Sequence, residues 1–361
     1  MSAATLPFEE TRRPLRQIEL LAAAGLMYLL FLLYLTMGLD SEMMRGDVLS
    51  YWKRSWELSA PYDAWWPPGY PFLIALARTL TLNKLPPLAI MWLISGVSYL
   101  VAIGTVYRTA IELRLRYAFQ TALVFAVYPF VGLTESTYPI ADITAIALFL
   151  LCVLSFERRR WAALAICAAM ALMVHKATWF LIPPLMLTAF VRHRESRLLL
   201  PLAAVPLFVW IVSGAFYHKD ALWFARWGVE HLITSRSALP ICDGIVGPFL
   251  TGSISKMAKG VLVSATVLLA AVAFVYSYRL RFWSGLSISL SLLLMAVVIN
   301  QYEIWVVIRF SKVLVIPLAY VLSQADFRAK TSTSPLFTAL FLFCIASNVI
   351  FGHYMATLAA R

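Results

Sequence analysis

The segment IELLAAAGLMYLLFLLYLTMG, residues 18–38, decides the fold class of this chain. Its 21 residues are almost all apolar. A helix of that length spans the hydrocarbon core of a bilayer, which is roughly 30 Å thick. The run is longer than the apolar region of a signal peptide, and no small-x-small cleavage site follows it. We therefore expect it to be retained as a first membrane helix.

The composition extends this expectation to the whole chain. Of its 361 residues, 61% are hydrophobic and only 13% are charged, which excludes a large soluble domain. We predict an all-α, polytopic transmembrane protein with about eleven membrane helices. The expected segments are residues 18–38, 86–107, 117–133, 139–156, 161–174, 176–190, 198–215, 260–278, 284–300, 304–322 and 335–352.

The positive charges indicate the orientation of these segments. The net charge of +12 comes largely from short clusters in alternate gaps between apolar runs, so the positive-inside rule explains it without any nucleic acid partner. We expect a cytoplasmic tail at residues 1–17 and C-terminal transmembrane helices within residues 260–361. The two long loops, residues 39–85 and 216–259, then face outward. The function is predicted at this outer face, because the cytoplasmic loops are short.

The first outer loop contains DSEMMRGDVLSYWKRSWELSAPYDAWWPPGY, residues 40–70, which is rich in reactive groups. It carries five carboxylates and four tryptophans. Asp47 and Tyr51 are four residues apart and lie side by side if this part is helical. Asp40 and Glu42 either cap that helix or join Asp47 in holding a divalent cation. For Asp47 the alternatives are a solvated helix-capping acid and a catalytic one. Cysteine and histidine spacings predict no other metal site.

Charged side chains also lie within the apolar segments, where they are costly unless they face a wet cavity or pair with one another. The fourth segment is expected to begin at Tyr138-Pro139 and to carry Asp142 about one turn inside it. The tenth segment places two cations three residues apart, on one helical face. We expect these groups to meet near the outer leaflet, either as structural ion pairs, as snorkelling cations or as a functional site. The residues concerned are Glu135, Asp142, His175, Lys176, Arg309 and Lys312.

Three motifs resemble the GT-C superfamily of membrane glycosyltransferases. They are GDVLSYW followed by WWPPGYP in the first outer loop, YPFVGLTESTYPIADITAIALF at residues 128–149, and VIRFSKVLVIPLAYVL at residues 307–322. That superfamily includes protein O-mannosyltransferases, the aminoarabinose transferase of lipid A, GPI mannosyltransferases and the catalytic subunit of oligosaccharyltransferase. The similarity covers residues 18–190 and 300–322, and it implies a GT-C-like catalytic module over residues 18–215.

The resemblance implies an inverting transferase that moves a sugar from a polyprenyl-phosphate donor to an acceptor at the outer face of a bacterial plasma membrane. It makes Asp47 the general base, with Asp40, Glu42, Tyr51, Glu135 and Asp142 in supporting or acceptor-binding roles. The donor phosphate would be held by His175, Lys176, Arg309 and Lys312. No cofactor is required by this scheme, although a divalent cation fits the acids of the first loop.

Two departures from the family pattern limit the comparison. Many relatives have two adjacent acids in the first loop, whereas Val48 follows Asp47 here. Relatives often carry Arg at the turn where this chain has His175-Lys176. We also expect no large soluble C-terminal domain of the kind seen in oligosaccharyltransferases, and therefore no en bloc transfer to asparagine.

Two other functions remain open from the sequence. A lipid-linked polysaccharide ligase or polymerase would use basic residues of a late outer loop, and this chain has Lys219, Arg226, His231 and Arg236 in its second outer loop. A transporter or flippase for a lipid-linked substrate would also carry interior charges, but it would more often have two related halves. Membrane lipids are partners in every case, and neither the sugar nor the acceptor follows from the sequence.

Overall fold

The computed structural model describes residues 7–39, 46–57, 67–115, 117–128, 138–224, 243–250, 254–299, 304–325 and 342–349. The all-α prediction is confirmed, because these ranges contain helices and turns but no β-strand. The α-helices are α1 (Pro7–Leu39), α2 (Gly46–Arg54), α3 (Gly69–Leu80), α4 (Pro87–Glu112), α5 (Ala118–Ala126), α6 (Ala141–Glu157), α7 (Trp161–Val174), α8 (Thr178–Arg192), α9 (Val205–His218), α10 (Asp243–Leu250), α11 (Ile254–Arg279), α12 (Trp283–Val298), α13 (Ile304–Phe310), α14 (Val315–Ala325) and α15 (342–349).

Each predicted apolar segment overlaps at least one of these helices. Four helical stretches of the described residues are long and apolar enough to cross a membrane: Pro87–Glu112, Leu200–His218, Lys256–Arg279 and Trp305–Gln324. Shorter apolar helices lie at Gln17–Leu33, Trp161–Val174, Thr178–Arg192 and Trp283–Val298. The protein is therefore a helical membrane protein, while the number of about eleven membrane helices stays a prediction.

Helix α6 lies at the centre of the described bundle. It packs along α4 on one side and α7 on the other, and nearly all of its residues are buried. Its sequence, ADITAIALFLLCVLSFE, is apolar around most of the helix, as expected for a helix enclosed by other helices. This central position brings its N-terminal end close to several neighbouring elements.

The start of α6 differs from the sequence prediction. The helix begins at Ala141 rather than at Tyr138-Pro139, because Ile140 has an extended backbone with φ −122° and ψ 176°. Pro139 also disfavours a helical conformation for the residue before it. Asp142 therefore lies in the first helical turn, where the positive end of the helix dipole favours a carboxylate.

The tenth predicted segment is interrupted rather than continuous. Helix α13 ends at Phe310, a 3₁₀ turn covers Ser311–Leu314, and α14 begins at Val315. Arg309 and Lys312 thus lie on either side of a change in helix type, and the single helical face expected for them stays a prediction. In a 3₁₀ turn, side chains three residues apart are eclipsed.

The glycine of the Pro-Pro-Gly turn, Gly69, allows two helices to pack closely. It is the first residue of α3 and lies against the last turn of α7. A Cβ atom at this position would be 2.5 Å from the carbonyl oxygen of Met173, which is too close for any side chain. The glycine therefore allows α3 to approach the end of α7, directly before the turn that carries His175.

Replacing Gly69 by Ala is expected to destabilise the protein by about 1–3 kcal/mol, because backbone must move to relieve the overlap. Gly25→Ala is the matched control, since a Cβ there would meet only Leu100 at 3.9 Å. Thermal unfolding in detergent measures both. We expect a lower melting temperature for Gly69→Ala and no decrease for Gly25→Ala, and equal melting temperatures would contradict the close-approach argument.

Candidate functional site

The candidate site is centred on the carboxylate of Asp142, which is only 1% exposed. Its Oδ1 accepts a hydrogen bond from Nε2 of His175 at 3.0 Å, and its Oδ2 accepts one from Nη1 of Arg309 at 3.1 Å. The sequence-based expectation that Asp142 pairs with an interior cation is confirmed for Arg309. One acid thus joins the start of α6, the turn between α7 and α8, and helix α13.

His175 lies in the turn after α7, with an extended backbone of φ −152° and ψ 139°. Its Nδ1 accepts a hydrogen bond from the backbone N–H of Ala177 at 3.0 Å. Its ring packs on Phe310, with 5.5 Å between the ring centroids. Both ring nitrogens are therefore engaged within the protein. Lys176, the next residue, is also buried.

Lys312 is buried beside this ion pair. Its side chain is 1% exposed, and its Nζ lies 5.9 Å from the centroid of the Phe125 ring. It is close enough to Asp142 to interact electrostatically with that carboxylate. The alternative in which Lys312 snorkels to the headgroups is therefore wrong, since the burial places its charge inside the protein. Arg309 is partly accessible, with 22% of its side chain exposed.

Asp47 lies in the first turn of α2 and is open to solvent. Surrounding protein atoms nonetheless raise its pKa above the ordinary value, the positive charge of Arg309 lowers it, and the negative charge of Asp142 raises it again. The structure thus brings Asp47 near Arg309 and Asp142, although their helices are distant in sequence.

Tyr51 holds α2 against α3. It is buried next to Asp47 on α2 and packs edge to face on Tyr70, with 4.9 Å between ring centroids and 80° between ring planes. Burial, together with the charges of Asp142 and Asp47, raises the pKa of Tyr51 well above its ordinary value. The phenol therefore stays protonated at neutral pH. The predicted helix around Asp47 and Tyr51 is confirmed as α2.

Arg78 supports α2, the helix that carries Asp47, and the sequence analysis missed it. Its guanidinium carbon lies 3.3 Å from the centroid of the Trp56 ring, and its Nη1 donates a hydrogen bond to Oγ of Ser55 at 3.4 Å. This cation–π contact joins the C-terminal end of α2 to α3. One sequence feature could have identified it: Arg78 is the single arginine of an apolar helix, and that helix follows a loop with four tryptophans.

Arg78→Ala is expected to weaken the attachment of α2 by about 1–2 kcal/mol, because the cation–π contact is lost. Hydrogen exchange of the α2 amides measures this change, and we expect faster exchange across residues 46–54. Lys84→Ala removes an exposed cation just after α3 and serves as the control. Unchanged exchange in Arg78→Ala would mean that Tyr51 and Tyr70 hold α2 without it.

Three predicted site residues, Asp40, Glu42 and Glu135, lie outside the described residues. The cation site shared by Asp40, Glu42 and Asp47 therefore stays a prediction. Within the described part of the chain, no group of three or more His, Cys, Asp or Glu side chains is arranged to hold a metal ion.

Comparisons of this chain with protein-family models, with curated proteins and with solved structures find no match. Any function must therefore be argued from the residues and geometry of the site itself.

Proposed function

We propose that this protein is an inverting, GT-C-like glycosyltransferase of a bacterial plasma membrane, with its site on the outer face of a multi-pass bundle. It transfers a sugar from a polyprenyl-phosphate donor to an acceptor hydroxyl. The observation that carries the proposal is the placement of one accessible carboxylate, Asp47, within electrostatic reach of the Arg309–Asp142 ion pair. An accessible base next to a partly accessible cation suits a reaction with an anionic leaving group.

Asp47 acts as the general base in this proposal. Its carboxylate takes the proton from the acceptor hydroxyl as that oxygen attacks the anomeric carbon of the donor. The new C–O bond forms on the face opposite the phosphate, so the anomeric centre is inverted. The bond between the anomeric carbon and the phosphate oxygen breaks, and the electron pair leaves with the polyprenyl phosphate.

The cations near the site support an anionic lipid donor. Arg309 is partly accessible, and Lys312 is buried within electrostatic reach of Asp142. Lys176 is buried in the turn that carries His175. Positive charge at this position suits a phosphate diester and stabilises the additional charge that develops on the phosphate as it leaves.

Asp47→Asn tests the proposed base directly, because the amide cannot accept a proton. The purified protein in lipid bilayers is assayed for transfer from a panel of radiolabelled polyprenyl-phosphate monosaccharides. We expect kcat to fall by about 10²–10⁴-fold, the usual contribution of a general base. Glu57→Gln is the control, since it removes an exposed carboxylate from the same loop. Full activity of Asp47→Asn would contradict the role of Asp47 as the base, whereas a wild-type protein that transfers no sugar would favour a transporter or a polysaccharide ligase.

The pH dependence of kcat/KM tests the environment of Asp47. Protonated Asp47 cannot act as a base, so kcat/KM is expected to fall as the pH drops through its pKa. Burial raises that pKa, so the midpoint of this acidic limb should lie above 3.8, the pKa of an isolated Asp. Arg309→Gln should move the limb to higher pH, because the positive charge of Arg309 lowers the pKa of Asp47. Lys84→Gln should leave the acidic limb in place. If Arg309→Gln does not move the limb, Arg309 is not close to Asp47.

A further inference from the structure

The hydrogen bonds of His175 determine where its proton lies. Nδ1 accepts the backbone N–H of Ala177 at 3.0 Å, so it must present a lone pair and carries no hydrogen. Nε2 faces Oδ1 of Asp142 at 3.0 Å. Because an imidazole that lacks a hydrogen on Nδ1 carries it on Nε2, His175 is the neutral Nε2–H tautomer and donates to the carboxylate.

The two carboxylate oxygens of Asp142 accept hydrogen bonds from two separate elements. Oδ1 binds the turn between α7 and α8 through His175, and Oδ2 binds α13 through Nη1 of Arg309 at 3.1 Å. The residue after Arg309, Phe310, packs on the imidazole ring at an angle of 34°. Each partner thereby limits the rotation of the others, which is how supporting hydrogen bonds orient a functional group.

We propose that Asp142 and His175 are positioning residues that hold Arg309 beside Asp47, with His175 contributing a hydrogen bond and not a positive charge. The proposal rests on the transferase function proposed above. It changes the role expected for His175 from contact with the donor phosphate to support of Arg309. Asp47 is close enough to interact electrostatically with His175. Lys312 interacts in this way with Asp142, and Lys176 is the residue after His175.

The position of the proton can be measured without any sugar transfer. Solid-state NMR of the protein labelled with ¹³C,¹⁵N-histidine in lipid bilayers, without donor, distinguishes protonated from unprotonated ring nitrogens. The His175 signals are those lost in His175→Gln, among only five histidines. We expect one protonated nitrogen, bonded to Cδ2, and one unprotonated nitrogen. Two protonated nitrogens, or a proton on Nδ1, would overturn the proposal even if the protein transfers sugar.

Two substitutions of His175 distinguish a role in positioning Arg309 from a role in binding the donor phosphate. His175→Gln keeps a side-chain N–H that can donate to Asp142, whereas His175→Lys supplies a cation. We expect the Gln variant to keep kcat/KM within about tenfold of wild type and the Lys variant to lose about 100-fold, as a displaced group of the site would. Equal losses, or a Lys variant more active than the Gln variant, would contradict the supporting role. If the wild type transfers no sugar, the transferase proposal fails while the NMR result still decides the tautomer.

Discussion

The buried carboxylate of Asp142 is the constraint on which the rest of the site depends. An ionised acid without partners is very costly in an apolar interior, so its position requires compensation from the surrounding chain. That compensation comes from the first turn of α6, from His175 and from Arg309. Because the three contributions belong to different parts of the sequence, folding must bring these parts together at one point.

The other half of the site is held by packing rather than by charge. Gly69 lets α3 approach the carbonyl of Met173, two residues before His175. Tyr51 and Arg78 then fasten α2 to α3 through an aromatic pair and a cation–π contact. The two halves meet where Arg309 pairs with Asp142 and lies close enough to Asp47 to lower the pKa of that carboxyl.

The two acids of the site have different environments and therefore suit different tasks. Asp47 is accessible and can exchange a proton with a bound hydroxyl or with water. Asp142 is enclosed, and both of its oxygens are already occupied by hydrogen bonds from protein groups. A fixed acid that orients neighbours beside an accessible one that moves a proton is a recurring division of roles between carboxylates.

The sequence by itself determined the all-α class, the approximate helix positions and the set of residues worth following, because apolar length and charge spacing are local properties of the chain. It did not determine the start of α6 at Ala141, the 3₁₀ break after Phe310 or the role of Arg78. The choice of Arg309 as the partner of Asp142 was also left to the tertiary structure. These two residues are 167 positions apart, and only the packing of α6, the turn at His175 and α13 decides which side chains meet.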